Sequence, residues 1–102
     1  DDMFKIHGVN MFPALVEEML AKVDGATSEY RVTLARDDDN NKDVFLLTVE
    51  GEGRVSFENM AKEISYAFKT YVGATPKVTI VPIGTLPRSE KKTKRVTDLR
   101  SE

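Results

Sequence analysis

Cysteine is absent from this 102-residue chain, which excludes disulfides and any metal site built on thiolates. No apolar run approaches the roughly 20 residues that a membrane-spanning helix needs. The chain opens Asp1-Asp2-Met3, with neither the basic start nor the apolar stretch of a secretory signal, so a cytoplasmic location is expected. Residue 1 is not methionine, which suggests a piece cut from something longer. There is a single histidine, His7, and without a nearby Ser, Cys or second ligand it makes a poor nucleophile partner or metal ligand. An excess of one charge is also missing: 15 Lys and Arg stand against 17 Asp and Glu, a formal net charge of -2, which argues against a dedicated nucleic-acid binder. The aromatic residues Tyr30, Tyr66, Tyr71, Phe57 and Phe68 suit core or sheet-edge packing. They do not interleave with a basic strand face as a base-stacking platform requires.

What is present fits one small domain. Hydrophobic residues make up 40% and charged residues 31%, and a chain of this length buries roughly 60–65% of its unfolded surface, enough for one modest core. Residues 3–6 read as a short strand, followed by a turn at His7-Gly8-Val9-Asn10, where Gly and Asn tolerate positive φ. Pro13 suits the first position of a helix whose apolar face is Leu15, Val16, Met19, Leu20 and Val23, with Gly25 as its stop. Tyr30, Val32 and Leu34 alternate with Arg31 and Thr33, as in a strand with one wet face. After a polar hairpin loop at 37–43, residues 44–49 are apolar on both faces apart from Thr48, which predicts a central strand ended by Gly51-Glu52-Gly53. Ser56 is a candidate N-cap for a helix with the stripe Phe57, Met60, Ala61, Ile64, Ala67, Phe68 and Tyr71, ended by Gly73 and Pro76. Residues 78–81 form a further strand, closed by Pro82. The expected fold is a small α+β domain: a twisted, mainly three-stranded sheet covered on one face by two helices, plus a short N-terminal hairpin-like segment. The first few residues and everything after Pro82 are expected to be loosely tied to that core.

Few residues suggest chemistry. Asp37-Asp38-Asp39 with Asp43 has the ligand type of a calcium site but lacks the spaced ligands, the glycine and the distal Glu of an EF-hand loop, and reads as a solvated hairpin tip. Glu17 and Glu18 lie about 100° apart on a helix wheel and read as a wet face. No metal site is expected. The exception is the cation-rich stretch after Pro87: Arg88, Lys91, Lys92, Lys94 and Arg95 in a turn-rich loop that cannot build a core. On composition alone it is either a solvated tail or a set of charges carried to an anion.

Two motifs at the chain's ends carry a resemblance. Asp1-Asp2-Met3-Phe4-Lys5-Ile6-His7-Gly8-Val9-Asn10-Met11-Phe12-Pro13 and Pro87-Arg88-Ser89-Glu90-Lys91-Lys92-Thr93-Lys94-Arg95-Val96 are similar to the hinge-and-turn opening and the terminal lysine loop of the small C-terminal domain of acyl- and aryl-CoA ligases in the adenylate-forming superfamily. The phenylacetate-CoA ligase family is the nearer match. The segments Tyr30-Arg31-Val32 and Thr70-Tyr71-Val72-Gly73 between them also resemble it, so the likeness covers essentially the whole chain. It implies that residues 1–102 form the mobile lid of a ligase whose large N-terminal domain binds ATP and the acyl group. It also implies that Asp1 and Asp2 sit at the hinge, that His7, Gly8 and Val9 face coenzyme A during thioester formation, and that Lys92 is the adenylation lysine. Lys91 and Arg88 are candidate contacts to the ATP phosphates. Lys91 stands where the family has glycine, and the lysine role falls on Lys92 by alignment to Arg95-Val96. His7 stands where arginine is common.

The implied substrates are an aryl acid, ATP with Mg2+, and coenzyme A, none of them expected to stay bound to this domain alone. The implied partner is the N-terminal domain, with no nucleic acid and no membrane, and a homodimer is left open. Two alternatives remain at this point: another adenylate-forming enzyme of the coenzyme F390 synthetase kind, or a stand-alone α+β binding or regulatory module.

Overall fold

The structure, a computed structural model, describes residues 3–88 and 94–100. It is an α+β domain of two helices, a two-stranded hairpin and a four-stranded mixed sheet. In chain order the elements are β1 (Phe4–Ile6), β2 (Val9–Met11), α1 (Pro13–Ala21), β3 (Ala26–Arg36), β4 (Asp43–Gly51), α2 (Phe57–Tyr71), β5 (Lys77–Pro82) and β6 (Val96–Asp98). β1 and β2 pair with each other, and the main sheet runs β5-β4-β3-β6, antiparallel between β3 and β4 and parallel at both outer pairs.

β4 is central, as its two-sided apolarity predicts. Tyr30, Val32 and Leu34 of β3 stand opposite Val49, Leu47 and Phe45 of β4, and all six are buried. They join Val16, Met19 and Leu20 of α1 and Met60, Ile64, Ala67 and Phe68 of α2 in one cluster. Phe45 sits edge-on to both Phe4 and Phe68, which ties the hairpin and α2 to the same core. The other face of β3 and β4, with Arg31, Thr33, Leu46 and Thr48, is half-buried, and among the described residues no helix packs on it.

α1 begins at Pro13, where a missing N–H costs nothing, and ends at Ala21, earlier than Gly25; Val23 is buried beyond the helix end. α2 is capped by Ser56, whose hydroxyl accepts from the Asn59 amide at 3.2 Å. Tyr71 does not join the α2 core stripe: it is exposed, with the Lys22 ammonium 4.6 Å from its ring centroid. No helix among the described residues is long and apolar enough to cross a membrane.

The structure departs from expectation most clearly after Pro82. Residues 84–88 and 94–100 are tied to the body, and Val96–Asp98 adds a fourth strand beside β3. Three residues with one buried apolar side chain leave little periodicity to read. The pairing is fixed instead by its partner, through Val32 N–H to Arg95 O and Leu99 N–H to Leu34 O, both 2.7 Å.

Candidate functional site

The cation-rich segment has two anchored feet. At the first, the chain leaves β5 through a turn, Thr85 N–H to Pro82 O at 3.1 Å, and passes over the end of β4. The side chain waiting there is Glu50, which is 0% exposed. Arg88 approaches it as a fork, Nη2 to Oε1 at 2.8 Å and Nη1 to Oε2 at 2.9 Å, and the Leu86 amide donates to Oε2 at 2.7 Å. The Arg88 guanidinium holds the Glu50 carboxyl down to about 2, with the Gly84 and Leu86 amides helping against the upward push of burial. Glu50 in turn raises Arg88. Arg31 donates to Pro87 O, and Arg88 Nη1 also meets Leu86 O at 2.9 Å, so the foot is bonded to β3 as well as β4.

The second foot is Arg95, which grips the other face of β3. Its Nη1 donates to Ser28 O at 2.9 Å and lies 3.6 Å from Glu17 Oε2, while the guanidinium stands 5.0 Å from the Tyr30 ring centroid. The Tyr30 hydroxyl donates to Glu17 Oε2 at 3.1 Å, with Pro13 O at 3.3 Å. Burial first, and then the Glu17 charge, push this phenol up to about 12, so it stays protonated and keeps donating.

Lys92 and Lys91 fall between these feet and lie outside the described residues, as do the expected hinge residues Asp1 and Asp2. Arg88 lies at the base of the segment with both terminal nitrogens on Glu50, which makes it an anchor in this geometry. Lys94 is exposed.

The expected thioester-side residues sit at the opposite end of the sheet. Ile6 pairs with Val9, leaving His7-Gly8 as a two-residue turn with φ of 50° and 79°. This is the type I′ pattern that suits the twist of a hairpin. Position 8 therefore needs glycine for its backbone, and a Cβ built there would meet nothing within 4 Å, so the turn presents an open surface. Asn10 lies within β2, so the positive φ falls on His7 and Gly8 and not on Asn10. His7 Nε2 donates to Asp43 O at 3.1 Å. Arg100, only 13% exposed in its side chain, donates to Lys5 O (2.9 Å), Asp43 Oδ2 (2.8 Å) and both oxygens of Asp98 (3.0 Å each). Against the cost of burial, Arg36 and Arg100 keep the Asp43 carboxyl below its usual range. An open depression of ≈ 440 Å³ lies between the turn, Arg36 and Arg100.

Asp43 begins β4 and Glu50 is its penultimate residue, so the two ends are seven strand steps, about 23 Å, apart. Among the described residues no group of three or more His, Cys, Asp or Glu side chains is placed to hold a metal, and the acidic tip at 37–39 is a local turn in which Asp37 Oδ1 accepts from the Asp39 amide. The sequence pointed to no role for Glu50 or Arg100, and it placed Glu17 only on a wet helix face and Tyr30 only in core or sheet-edge packing. The one available signal was an acid, Glu50, closing an otherwise apolar strand.

Against known proteins, a family model described as AMP-binding enzyme C-terminal domain matches residues 8–100. Phenylacetate-coenzyme A ligase of Escherichia coli (strain K12) is 35% identical over 99% of this chain, and that of Pseudomonas putida 34% over 98%. The chain spans about a quarter of the length of these relatives, 24% in each. A crystallised domain of phenylacetate-coenzyme A ligase from Bacteroides vulgatus superposes with a TM-score of 0.83 at 32% identity, covering 99% of this chain and 95% of that one. The crystal structure of 2-hydroxyisobutyryl-CoA ligase with 2-HIB-AMP and CoA in the thioesterification state gives 0.84 at 31% identity, over 98% of this chain and 22% of that one.

Proposed function

The chain belongs to the family of AMP-binding enzyme C-terminal domains, and from that premise we propose that it is the small, rotating domain of an ATP-dependent ligase. The reaction proposed for the whole enzyme is phenylacetate + ATP + coenzyme A to phenylacetyl-CoA + AMP + diphosphate. The identity to phenylacetate-coenzyme A ligases over nearly the whole chain supports this choice of acid.

In the first half-reaction the acid's carboxylate attacks the α-phosphate of ATP, and negative charge gathers on the phosphoryl oxygens as diphosphate leaves. Lys92, on a long stem in the segment between the Arg88 and Arg95 feet, supplies a compact positive charge there. In the second half-reaction the thiol of coenzyme A attacks the adenylate carbonyl and AMP departs. Rotation about the hinge at Asp1 and Asp2 withdraws Lys92 and brings up the end bearing His7, Gly8 and Val9, whose thin turn lets coenzyme A pass close to the backbone. The acid, the ATP and the magnesium that accompanies it are held by the N-terminal domain, which is the partner of this one. The observation that carries the reading is the pair of anchored feet at one end of β4 with the open glycine turn at the other.

In a full-length ligase carrying this domain, Lys92→Ala lowers acid-dependent pyrophosphate exchange by about 10²–10³-fold, the scale of deleting one preorganised charge-stabilising group. It spares thioester formation from supplied phenylacetyl-adenylate. Gly8→Trp does the reverse. Lys91→Ala is the control that separates the two adjacent lysines. Equal loss of both steps in Lys92→Ala overturns the reading.

A further inference from the structure

Each end of the sheet is held by its own charge clamp, and the two clamps share no residue. At one end Glu50 directs its carboxylate at the loop, where Arg88 and the amides of Gly84 and Leu86 meet it. A carboxylate without solvent is expensive unless fully paired, and an apolar side chain would pack the sheet with less penalty. Its bonds hold the loop foot and contribute nothing to strand pairing. Lys92 is four positions beyond Arg88 and three before Arg95, so its Cα cannot stray more than about 14 Å from that of Arg88. Fixing the foot therefore narrows where the lysine can be delivered. At the other end Arg100 joins the last strand to the hairpin through Lys5 O and to β4 through Asp43, whose own carbonyl receives His7. That triangle ties the hairpin that carries the glycine turn to β4 and to the segment after the last strand.

We propose that these clamps divide the work of the enzyme. Glu50 with Arg88 are positioning residues for adenylation, and Arg100 with Asp43 are positioning residues for thioester formation. The inference rests on the function proposed above and adds the residues that make each end precise.

The test is a crossed pair of variants in the full-length ligase, with each half-reaction measured separately and thermal unfolding recorded. Glu50→Gln keeps the shape and removes the charge: pyrophosphate exchange falls by about 10²-fold, the effect of an ångström-scale misplacement, while thioester formation from supplied adenylate stays within about twofold. Arg100→Gln gives the opposite pattern, with the thioester step down roughly tenfold and pyrophosphate exchange unchanged. Arg88→Lys keeps a cation at a half-exposed site but gives up the fork, and it decides the adenylation arm if Glu50→Gln does not fold. Losses that strike both steps equally, or that track the unfolding temperature, make the clamps purely structural and overturn the proposal. So does an unchanged enzyme in which Lys92→Ala and Gly8→Trp still separate the steps. If Lys92→Ala itself fails to separate them, the functional reading falls, and the clamps fall with it.

Discussion

A carboxylate with none of its surface in water is tolerable only when its oxygens are matched by donors, and Glu50 meets that condition with a guanidinium fork and two loop amides. The consequence is a pH dependence with a definite sign. The folded-state value is near 2 against an ordinary 4.5, so folding favours the charged form; the stabilisation is complete above about pH 4.5 and is lost as the pH falls towards 2. The half-exposed Arg88 weakens the pair, which leaves an effect on the order of 2 kcal/mol. Asp24, Asp43 and Asp98 are also held low and slope the same way, so the informative quantity is the difference between wild type and Glu50→Gln. Denaturant unfolding across that range should show the wild-type advantage shrinking as the pH drops; a gap that stays constant refutes the assignment. Little of this was legible in the sequence: an acid near the end of an apolar strand was the one signal, and its partner Arg88 is 38 positions away and looks like an ordinary surface charge. Glu17 misled in the same way: it is on a wet helix face, yet its carboxylate organises Tyr30 and Arg95.

Elements with strong periodicity or a clear punctuating residue were readable, and those defined by a partner were not. α2 shows its Ser56 cap and a repeating apolar stripe, and β4 its two-sided apolarity, because those signals are local. β6 exists only because β3 offers an unpaired edge to it. The break at Gly51-Glu52-Gly53 illustrates the boundary between the two cases. Both glycines read as strand terminators, but Gly51 is the last residue of β4, paired with Ala26 and Pro82, and it is glycine because of what lies above it. A Cβ there would stand 2.7 Å from Ile80 Cγ2 and 2.7 Å from Met60 Sδ, whereas one at Gly53 meets nothing within 4 Å. Gly51→Ala should therefore cost about 1–3 kcal/mol by forcing α2 away from the sheet. Gly53→Ala should stay within about 0.5 kcal/mol. Urea unfolding of the two variants checks this, and equal costs would show that α2 yields more freely than its packing suggests.

At the scale of the whole molecule, the two ends assigned to the proposed half-reactions are ends of the same strand. About 23 Å of β4 separates Asp43 from Glu50, and a paired central strand does not bend enough to bring them together. The α-phosphorus attacked in one step and the carbonyl attacked in the next are joined through a single oxygen in the adenylate. In the proposed function, a rigid domain with these two ends so far apart addresses both centres by turning as a body against a second domain that holds the reactants. The chain should accordingly behave as a folded part without a reaction of its own. Expressed alone, it should unfold in one cooperative transition, with a stability of about 5–15 kcal/mol for its size. Incubated with phenylacetate, ATP and coenzyme A, it should release no AMP and form no thioester, because in the proposed function the reactants are held by the N-terminal domain. Product formed by the isolated chain would place the reactant sites on this domain and remove the need for rotation altogether.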